Sequence, residues 1–281
     1  MRVRYSFSSR RTGRLENIRK QKQEFPKVIE KLIKFSDIIL EILDARFIQE
    51  TRNIEIEKYI KNQGKGLIFV INKTDLISKN KMNKKDLNDF SPYVFVSSKT
   101  RRGSKDLRDK IKIESKKIKE PIDKSGKITI GIIGYPNTGK SSLINMLIGR
   151  KKAGTGAEAG YTKGVQKLKL TSEILLIDSP GVIPKKEYSS VEQPKISKQT
   201  KIGGRSFSQV KEPELVIASI MKEFKGVIEK YYKIKSKNNS EILIEELGKR
   251  KGFLKKGGEI DEDKTARFIL KEWQEGKIKI L

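Results

Sequence analysis

The sequence contains no cysteine and no histidine among its 281 residues. Without cysteine the chain forms no disulfide, and without either residue it cannot build a Cys/His zinc site. The lack of histidine also removes the side chain that enzymes most often use as a general base. Ser-His-Asp and cysteine-based catalysis are therefore excluded, and any chemistry must use other groups.

Long apolar runs are also missing. No run approaches the ~18 residues that a membrane-spanning helix needs, and the first residues lack the apolar stretch of a signal peptide. The sequence therefore predicts a cytoplasmic protein with no membrane partner.

Charge, by contrast, is abundant and one-sided. The chain carries 63 Lys and Arg against 35 Asp and Glu, a net charge of +28. A solvated Lys/Glu-rich surface is the plain interpretation, but an excess this large favours a polyanionic partner. The excess is local: residues 1–34 hold eleven basic residues against three acidic, whereas residues 211–281 hold seventeen against thirteen. The N-terminal arm is therefore the better candidate for phosphate contact.

Short apolar runs alternate with segments of helical periodicity. Runs at 37–44, 66–71, 93–96 and 128–133 are apolar on both faces, which is typical of buried parallel strands. The pattern predicts an α/β fold with a mostly parallel sheet flanked by helices. The predicted organisation is a basic arm (1–14), an α/β domain (15–184), a flexible basic connector (185–206) and a small all-α domain (207–281).

A glycine-rich motif, Gly134-x4-Gly139-Lys140-Ser141, follows one apolar run and precedes a predicted helix. This is the context of a phosphate-binding P-loop, in which backbone N–H groups and the helix N-terminus face the phosphates. Lys140 would bridge the β- and γ-phosphates, and Ser141 would hold Mg²⁺. The predicted nucleotide-binding residues of this loop are Gly134, Asn137, Thr138, Gly139, Lys140, Ser141 and Ser142.

Two further elements complete the predicted phosphate end. Asp178 follows another apolar run and suits a water-mediated Mg²⁺ partner, and the amide of Gly181 would sense the γ-phosphate. Between this turn and the P-loop, Thr162 would complete the Mg²⁺ shell, with Thr155 as the alternative in the same loop. The predicted Mg²⁺ ligands are thus Ser141, Thr162 and Asp178.

The tetrapeptide Asn72-Lys73-Thr74-Asp75 ends a predicted strand and has the pattern of a guanine-reading loop. Asp75 would accept hydrogen bonds from N1–H and the 2-amino group, a donor pair that adenine lacks. Lys73 would pack along the base plane, and Asn72 would connect this loop to the P-loop.

A second loop, Ser97-Ser98-Lys99, ends the next predicted strand and would close the base site. The Ser98 amide suits guanine O6, and Lys99 would cover the base. Ser97 is included with them in the predicted GTP/GDP site.

The base-reading loop precedes the phosphate-binding loop, which is the reverse of the order in most GTP-binding domains. Together with Asp44-Ala-Arg46 at the end of the first predicted strand, this order resembles the circularly permuted GTPases of the YlqF/YawG family. The resemblance covers residues 15–184, and the C-terminal domain more loosely. It implies GTP hydrolysis coupled to large ribosomal subunit assembly, with ribosomal RNA or the subunit precursor as partner and an RNA-contacting C-terminal domain.

The resemblance also suggests how hydrolysis proceeds. Gly181 is followed by Val182 and Ile183, where many GTPases place a water-orienting glutamine, so intrinsic hydrolysis should be slow. Asn137 matches the P-loop asparagine of potassium-activated relatives, so K⁺ is hypothesised to act near the phosphates. The predicted catalytic residues are Lys140, Thr162, Gly181 and Asn137.

The permutation has a mechanical consequence. The segment after Gly181 leads through the connector into the helical domain, so GTP binding would set that domain's orientation. Two alternatives stay open: an RNA-binding module gated by nucleotide with negligible hydrolysis, and a signalling GTPase with a protein partner. A monomer is expected.

Overall fold

The structure, a computed structural model, describes residues 27–78, 87, 90–149, 166–178 and 193–280. The predicted basic arm, Thr155, Thr162 and Gly181 lie outside these residues, as do residues 185–192 of the predicted connector.

A six-stranded sheet with the order β3-β2-β1-β4-β6-β5 forms the centre of the fold. All neighbouring strands are parallel except β5 and β6, which are antiparallel. The predicted mostly parallel α/β sheet is therefore confirmed. The strands are β1 (Ile38–Asp44), β2 (Gly66–Asn72), β3 (Tyr93–Phe95), β4 (Ile128–Gly134), β5 (Gln166–Lys169) and β6 (Ile174–Asp178).

Helices cover both faces of this sheet and form a separate group at the C-terminal end. Residues 27–34 are helical and are called α1. The others are α2 (Ile48–Thr51), α3 (Ile54–Asn62), α4 (Ser104–Ser115), α5 (Lys140–Ile148), α6 (Gln193–Lys201), α7 (Pro213–Glu223), α8 (Val227–Tyr232), α9 (Ser240–Lys251) and α10 (Glu262–Gln274).

All seven residues of β1 are buried, because each face of the sheet packs against helices. On one face, Leu40 belongs to a cluster that includes Leu107 of α4 and Leu143 of α5. On the other, Ile39 clusters with Ile60 of α3. Burial on both sides explains why the strand is an apolar run, with Glu41 and the last residue, Asp44, as its exceptions.

The chain reverses its direction of growth across the sheet between β1 and β4. Strands β2 and β3 extend the sheet on one side of β1, whereas β4 and β6 extend it on the other. In open α/β sheets the ligand crevice lies at such a switch point, beyond the carboxyl ends of the strands. Asp44 is in register with Asn72, and Ile42 with Gly134, so the two predicted nucleotide loops start at the same edge.

The C-terminal helices share an apolar core with the α/β unit. Trp273 is fully buried in this core, which also contains Phe47 from the loop after β1 and Tyr135 from the P-loop. Phe47 and Trp273 lie with ring centroids 6.2 Å apart. The helical unit is therefore seated directly on the edge that carries the nucleotide loops.

Residues 193–206 of the predicted connector include a helix. This segment forms α6 and continues into Ile202, which is buried in the C-terminal core. Side chains of α10 hold its backbone: Trp273 Nε1 donates to Lys201 O at 2.9 Å, and Gln274 Nε2 donates to Thr200 O at 2.8 Å. The partners lie more than 70 residues away, so local composition gave no sign of this order.

A capping residue sets the start of α3. Asn53 separates α2 from α3 and begins α3 by accepting a hydrogen bond from the Ile56 amide. Helix α4 ends at Ser115. Among the described residues, no helix has the length and apolar character needed to span a bilayer.

Candidate nucleotide site

The glycine-rich loop folds tightly between β4 and α5. A Cβ atom on Gly134 would lie 2.6 Å from the Ile42 carbonyl oxygen, so only glycine fits where the loop leaves the strand. Asn137 and Gly139 both have positive φ, 60° and 96°. Thr138 Oγ1 donates to Tyr135 O at 2.8 Å and stabilises the turn from inside. The loop thus leads directly into the N-terminus of α5, where anions bind favourably.

Lys140 is buried beneath this loop. Its Nζ donates to the carbonyl oxygens of Gly134 at 3.1 Å and Tyr135 at 3.2 Å. The ammonium group therefore lies within the loop that is predicted to surround the phosphates. A buried cation at this position provides the positive charge that a triphosphate requires.

One buried amide connects three loops of the site. Asn72 Nδ2 donates to Thr138 O at 2.8 Å, which is the predicted contact between the base loop and the P-loop. Asn72 Oδ1 accepts from both the amide and the hydroxyl of Ser98, at 3.0 and 2.9 Å. The Ser98 amide, predicted to face guanine O6, donates to Asn72 instead. Its assignment to O6 stays a prediction.

Asp75 has its carboxylate held in place by the second loop. Ser97 Oγ donates to Asp75 Oδ1 at 2.6 Å, and Ser97 is fully buried. The same hydroxyl accepts from the Thr100 amide at 3.2 Å, which turns its proton toward Asp75. Ser97 therefore orients the group that is predicted to read the base.

The side chain of Lys73, predicted to pack along the base plane, is held by an ion pair. It adopts a left-handed backbone conformation with φ of 62°, and its Nζ lies 2.8 Å from Asp44 Oδ2. Burial lowers the pKa of Lys73, and Asp44 opposes this decrease. The side chain still lines the cavity described below, so its aliphatic part is available to a base while its charge is paired.

Asp44 and Arg46 form a network that sequence reasoning did not assign to the site. Arg46 binds Asp44 with two side-chain hydrogen bonds, Nε to Oδ1 at 3.0 Å and Nη2 to Oδ2 at 2.8 Å. Burial by itself would raise the pKa of Asp44, but attraction to Arg46 and Lys73 outweighs it and holds the pKa below its usual range. The sequence signal for this network was Asp44-Ala-Arg46 at the end of a predicted strand, and this tripeptide served only as part of the family resemblance.

Arg46 also reaches the C-terminal helices. Its Nη1 donates to Trp273 O at 3.1 Å, and its guanidinium carbon lies 5.5 Å from the Trp273 ring centroid. The base loop, the end of β1 and the end of α10 are therefore linked in series, from Lys73 to Asp44, from Asp44 to Arg46 and from Arg46 to Trp273.

A cavity of about 310 Å³ lies where these loops meet. It brings the predicted base-loop and P-loop residues together and adds two residues from the end of α10 that the sequence did not suggest. Its lining consists of Asn72, Lys73, Asp75, Leu76, Ser98, Lys99, Gly139, Ser142, Glu275 and Gly276.

Asn137 contacts the segment after α6. Its Nδ2 donates to Gly203 O at 2.9 Å. A Cβ atom on Gly203 would lie 3.0 Å from Asn137 Cβ, and one on Gly204 would lie 2.4 Å from Tyr135 Cε1. The P-loop and the C-terminal unit thus approach so closely that glycines are required.

The predicted Mg²⁺ ligands are only partly described. Ser141 is the second residue of α5, and Asp178 ends β6 in register with Ile132 of β4. Because β4 and β6 are adjacent and parallel, Asp178 and the P-loop leave the sheet at the same edge. A serine hydroxyl and a carboxylate are hard oxygen donors that fit Mg²⁺. The side chain of Asp178 and all of Thr162 and Gly181 lie outside the described residues.

No group of three or more His, Cys, Asp or Glu that could bind a metal occurs in the part of the chain that the structure describes. Mg²⁺ in nucleotide sites is usually held by one or two protein oxygens, with phosphates and water supplying the rest. The sparse donor set is therefore compatible with that ion.

Sequence comparisons place these observations among known proteins. The family described as 50S ribosome-binding GTPase matches residues 129–247. The match begins in β4 and excludes the base loop, as expected if that loop has been moved ahead of the P-loop.

Two curated relatives match nearly the whole chain. An uncharacterized GTP-binding protein of Methanocaldococcus jannaschii is 41% identical over 265 residues, which cover 93% of this chain and 68% of that protein. Nucleolar GTP-binding protein 2 of Pneumocystis carinii is 34% identical over 261 residues, covering 88% of this chain and 51% of that protein. The chain thus spans about half the length of the nucleolar relative.

Among solved structures, GNP-bound YlqF from T. maritima has a TM-score of 0.64 at 20% identity. The alignment covers 91% of this chain and 95% of that chain, so the likeness of fold extends through the C-terminal helices.

Proposed function

Since the chain belongs to the circularly permuted GTPases of the YlqF/YawG family, we propose that it hydrolyses GTP in the course of large ribosomal subunit assembly. The observation that carries the nucleotide part is the single cavity where Asp75 of the base loop meets Gly139 of the P-loop. The ribosomal part is supported by the description of the matching family and by the nucleolar relatives.

Guanine is selected by a carboxylate of fixed orientation. Ser97 occupies one side of Asp75 Oδ1, and the carboxylate accepts from N1–H and the 2-amino group of the base. Adenine offers no such donor pair, so the carboxylate would be left unpaired and ATP rejected. Lys73 and Lys99 bound the cavity around the base.

The phosphates are bound at the start of α5. The backbone amides of the P-loop and the N-terminus of α5 provide partial positive charge, and Lys140 provides a full one. Ser141, Asp178 and Thr162 would hold Mg²⁺, which when bound neutralises charge that develops on the phosphate oxygens. The Gly181 amide would detect the γ-phosphate.

Water must be oriented without a glutamine after Gly181, because that position is followed by Val182 and Ile183. Intrinsic hydrolysis is therefore slow and depends on an external activator. K⁺ near Asn137 would offset phosphate charge in the manner of an arginine finger. The hydrogen bond from Asn137 Nδ2 to Gly203 O fixes the orientation of the amide whose oxygen would face the ion.

The Asn137–Gly203 contact also supports coupling to the C-terminal unit. A residue predicted to lie beside the phosphates contacts the segment that leads into the helical core. A change in P-loop conformation between GTP and GDP would therefore shift the seating of α6 and the residues that follow it.

An RNA-binding role is supported by a basic groove of about 510 Å³ on the C-terminal unit. Lys225, Lys230 and Lys279 supply charge for phosphates, while Tyr231, 40% exposed, offers a ring on which a base can stack. Lys277 also lines the groove but is paired with Glu272 and Glu275.

Co-sedimentation with ribosomal subunits tests the proposal. Full-length protein is mixed with purified large subunits, their precursors and small subunits, in GDP or a non-hydrolysable GTP analogue. We expect the GTP-analogue form to sediment with large-subunit particles and to be released by GDP. Binding that ignores the nucleotide would favour a basic RNA-binding protein, and absence of binding would favour a signalling GTPase.

Charge-reversal variants locate the contact. K225E/K230E should lose most of this sedimentation, whereas K255E/K256E, with the same change in net charge on another exposed loop, should retain it. Equal loss in both variants would point to non-specific attraction. The proposal further describes a cytoplasmic monomer, and the elution volume of the purified protein tests the oligomeric state.

A further inference from the structure

The end of the described chain lies against the base loop. The Ile280 amide donates to the Leu76 carbonyl oxygen at 2.8 Å, and Ile280 pairs with Ile77 as a parallel bridge. Leu76 and Ile77 directly follow Asp75. Residues 275–280, called here the C-terminal segment, therefore form a backbone contact with the chain immediately beside the guanine-reading carboxylate.

Gly276 allows this close approach. It is buried, its φ is 69°, and a Cβ atom there would lie 2.8 Å from Leu76 Cδ1. Neither the backbone conformation nor the available space suits a side chain. The segment is thus packed tightly on Leu76, a residue that itself lines the nucleotide cavity.

The segment is also firmly attached to the rest of the C-terminal unit. Ile278 and Ile280 are buried in the same core as Trp273, and Trp273 O accepts the hydrogen bond from Arg46 described above. Movement of α10 away from the α/β unit would therefore carry the segment with it.

Glu275 and Gly276 form part of the cavity wall, although they are distant in sequence from every predicted nucleotide loop. The Glu275 carboxylate is paired with Lys277 at 3.0 Å, which restrains it at the end of α10. A cavity closed on one side by this segment is more open when the segment leaves.

We propose that the C-terminal segment is the outer wall of the guanine pocket, so that base binding and the seating of the C-terminal unit stabilise each other. The inference rests on the proposed guanine site and adds a determinant of nucleotide affinity outside the GTPase loops. Coupling of this kind is reciprocal: if the seated segment tightens GDP binding, GDP must hold the segment in place by the same free energy.

Amide hydrogen exchange of the full-length protein tests the coupling. Exchange of residues 275–280 is measured without ligand, with GDP and with pyrophosphate, each with Mg²⁺. GDP should slow exchange of the segment at least about fivefold, and pyrophosphate, which lacks the base, should not. Equal exchange in all three states would overturn the inference.

The D75N variant separates failure of the inference from failure of the site assignment. If D75N binds GDP as tightly as the wild type, the guanine site itself is wrong. If D75N loses GDP affinity but GDP never slows exchange of the segment in the wild type, the guanine site is supported and the proposed role of the C-terminal segment is refuted.

Matched cavity variants supply the reciprocal measurement. I280A and I244A each truncate a buried isoleucine of the same core. Ile280 pairs with Leu76 and Ile77, directly after the base loop, whereas Ile244 lies in α9, which packs on α7 and α10. I280A should raise the Kd for GDP at least about fivefold while I244A leaves it unchanged. Unchanged affinity in I280A, or equal loss in both, would contradict the proposal; if either variant fails to fold, the exchange experiment decides.

Discussion

The side-chain amide of Asn72 donates a 2.8 Å hydrogen bond to the carbonyl oxygen of Thr138, which joins two loops that lie 66 residues apart and in reversed order along the chain. The parallel register of β1 with both β2 and β4 brings these loops to one edge whichever comes first. The permutation therefore preserves the nucleotide site. What it changes is the element that follows Asp178 and Gly181, the proposed phosphate-sensing turn, and this element is here the C-terminal unit.

Gly139→Ala should weaken nucleotide binding through this junction. A Cβ atom at Gly139 would lie 2.4 Å from Asn72 Nδ2, and φ there is 96°. We expect GDP affinity to fall at least about tenfold, because the base loop and P-loop would be forced apart. Fluorescence titration with a labelled GDP measures it.

Gly149→Ala is the control at the other end of α5. Its φ is also left-handed, 79°, but a Cβ atom there meets nothing within 4 Å. It should cost about 1 kcal/mol of stability and leave GDP affinity intact. Equal loss of affinity in both variants would mean that backbone strain, not the contact with Asn72, is responsible.

Asp75→Asn should change the preferred base. Ser97 Oγ donates a hydrogen bond to Asp75 Oδ1. The asparagine side chain can keep its amide oxygen at this position and present its NH2 group to the base. This donor suits xanthine, which carries a carbonyl at position 2, and cannot pair with the guanine amino group. We expect GDP affinity to fall at least about 100-fold and xanthosine diphosphate to bind more tightly than GDP. Calorimetric titration with both nucleotides would refute the assignment if the preference stays with guanine.

Glu41 makes stability depend on pH. It is buried in β1, Oε1 accepts from the Asn53 amide, and Oε2 has no hydrogen-bond partner among the described residues. Burial, with repulsion from Glu57, raises its pKa from 4.5 to about 8, against attraction from Arg52. Protonation therefore favours the folded state.

Because the pKa of Glu41 is raised in the folded protein, its contribution to stability decreases with increasing pH. Between pH 4.5 and 8 the unfolded chain releases the proton while the folded protein retains it, so the contribution to stability is lost as pH rises. Relative to Glu41→Gln, the wild type should lose on the order of 3 kcal/mol between pH 5 and 8. Urea denaturation of both proteins at several pH values measures the difference, and parallel profiles would show that Glu41 ionises normally.

Potassium should accelerate hydrolysis more than sodium. Asn137 lies in the P-loop and is held by Gly203, at the position proposed to place a monovalent cation near the phosphates. At equal ionic strength, GTP turnover in KCl should exceed that in NaCl at least about tenfold, in the presence of ribosomal subunits. Equal rates in KCl and in NaCl, both with and without subunits, would remove K⁺ from the mechanism.

Much of this architecture was predictable because local signals coincide with it. Runs such as 128–133 are apolar on both faces only because helices cover both sides of the sheet, so they predict parallel strands reliably. The glycine spacing around Lys140 and the position of Asp75 at a strand end likewise depend on short stretches of chain. These features predicted the loops that the structure brings into one cavity.

The missed features depend on contacts between distant parts of the chain. Residues 193–206 read as a connector because their order comes from Trp273 and Gln274 of α10. The pairing of Lys73 with Asp44 and the wall formed by Gly276 arise in the same way. Neither composition nor periodicity records which distant side chain fills a site.

Single-turnover GTP hydrolysis with and without purified large ribosomal subunits is the most direct test of the proposed function. Excess full-length protein is mixed with labelled GTP and Mg²⁺ in KCl, with small subunits and Lys140→Ala as controls. Large subunits or their precursors should raise the rate at least about tenfold, and the small subunit and the variant should not. An unchanged rate with bound large subunits would contradict a GTPase coupled to their assembly.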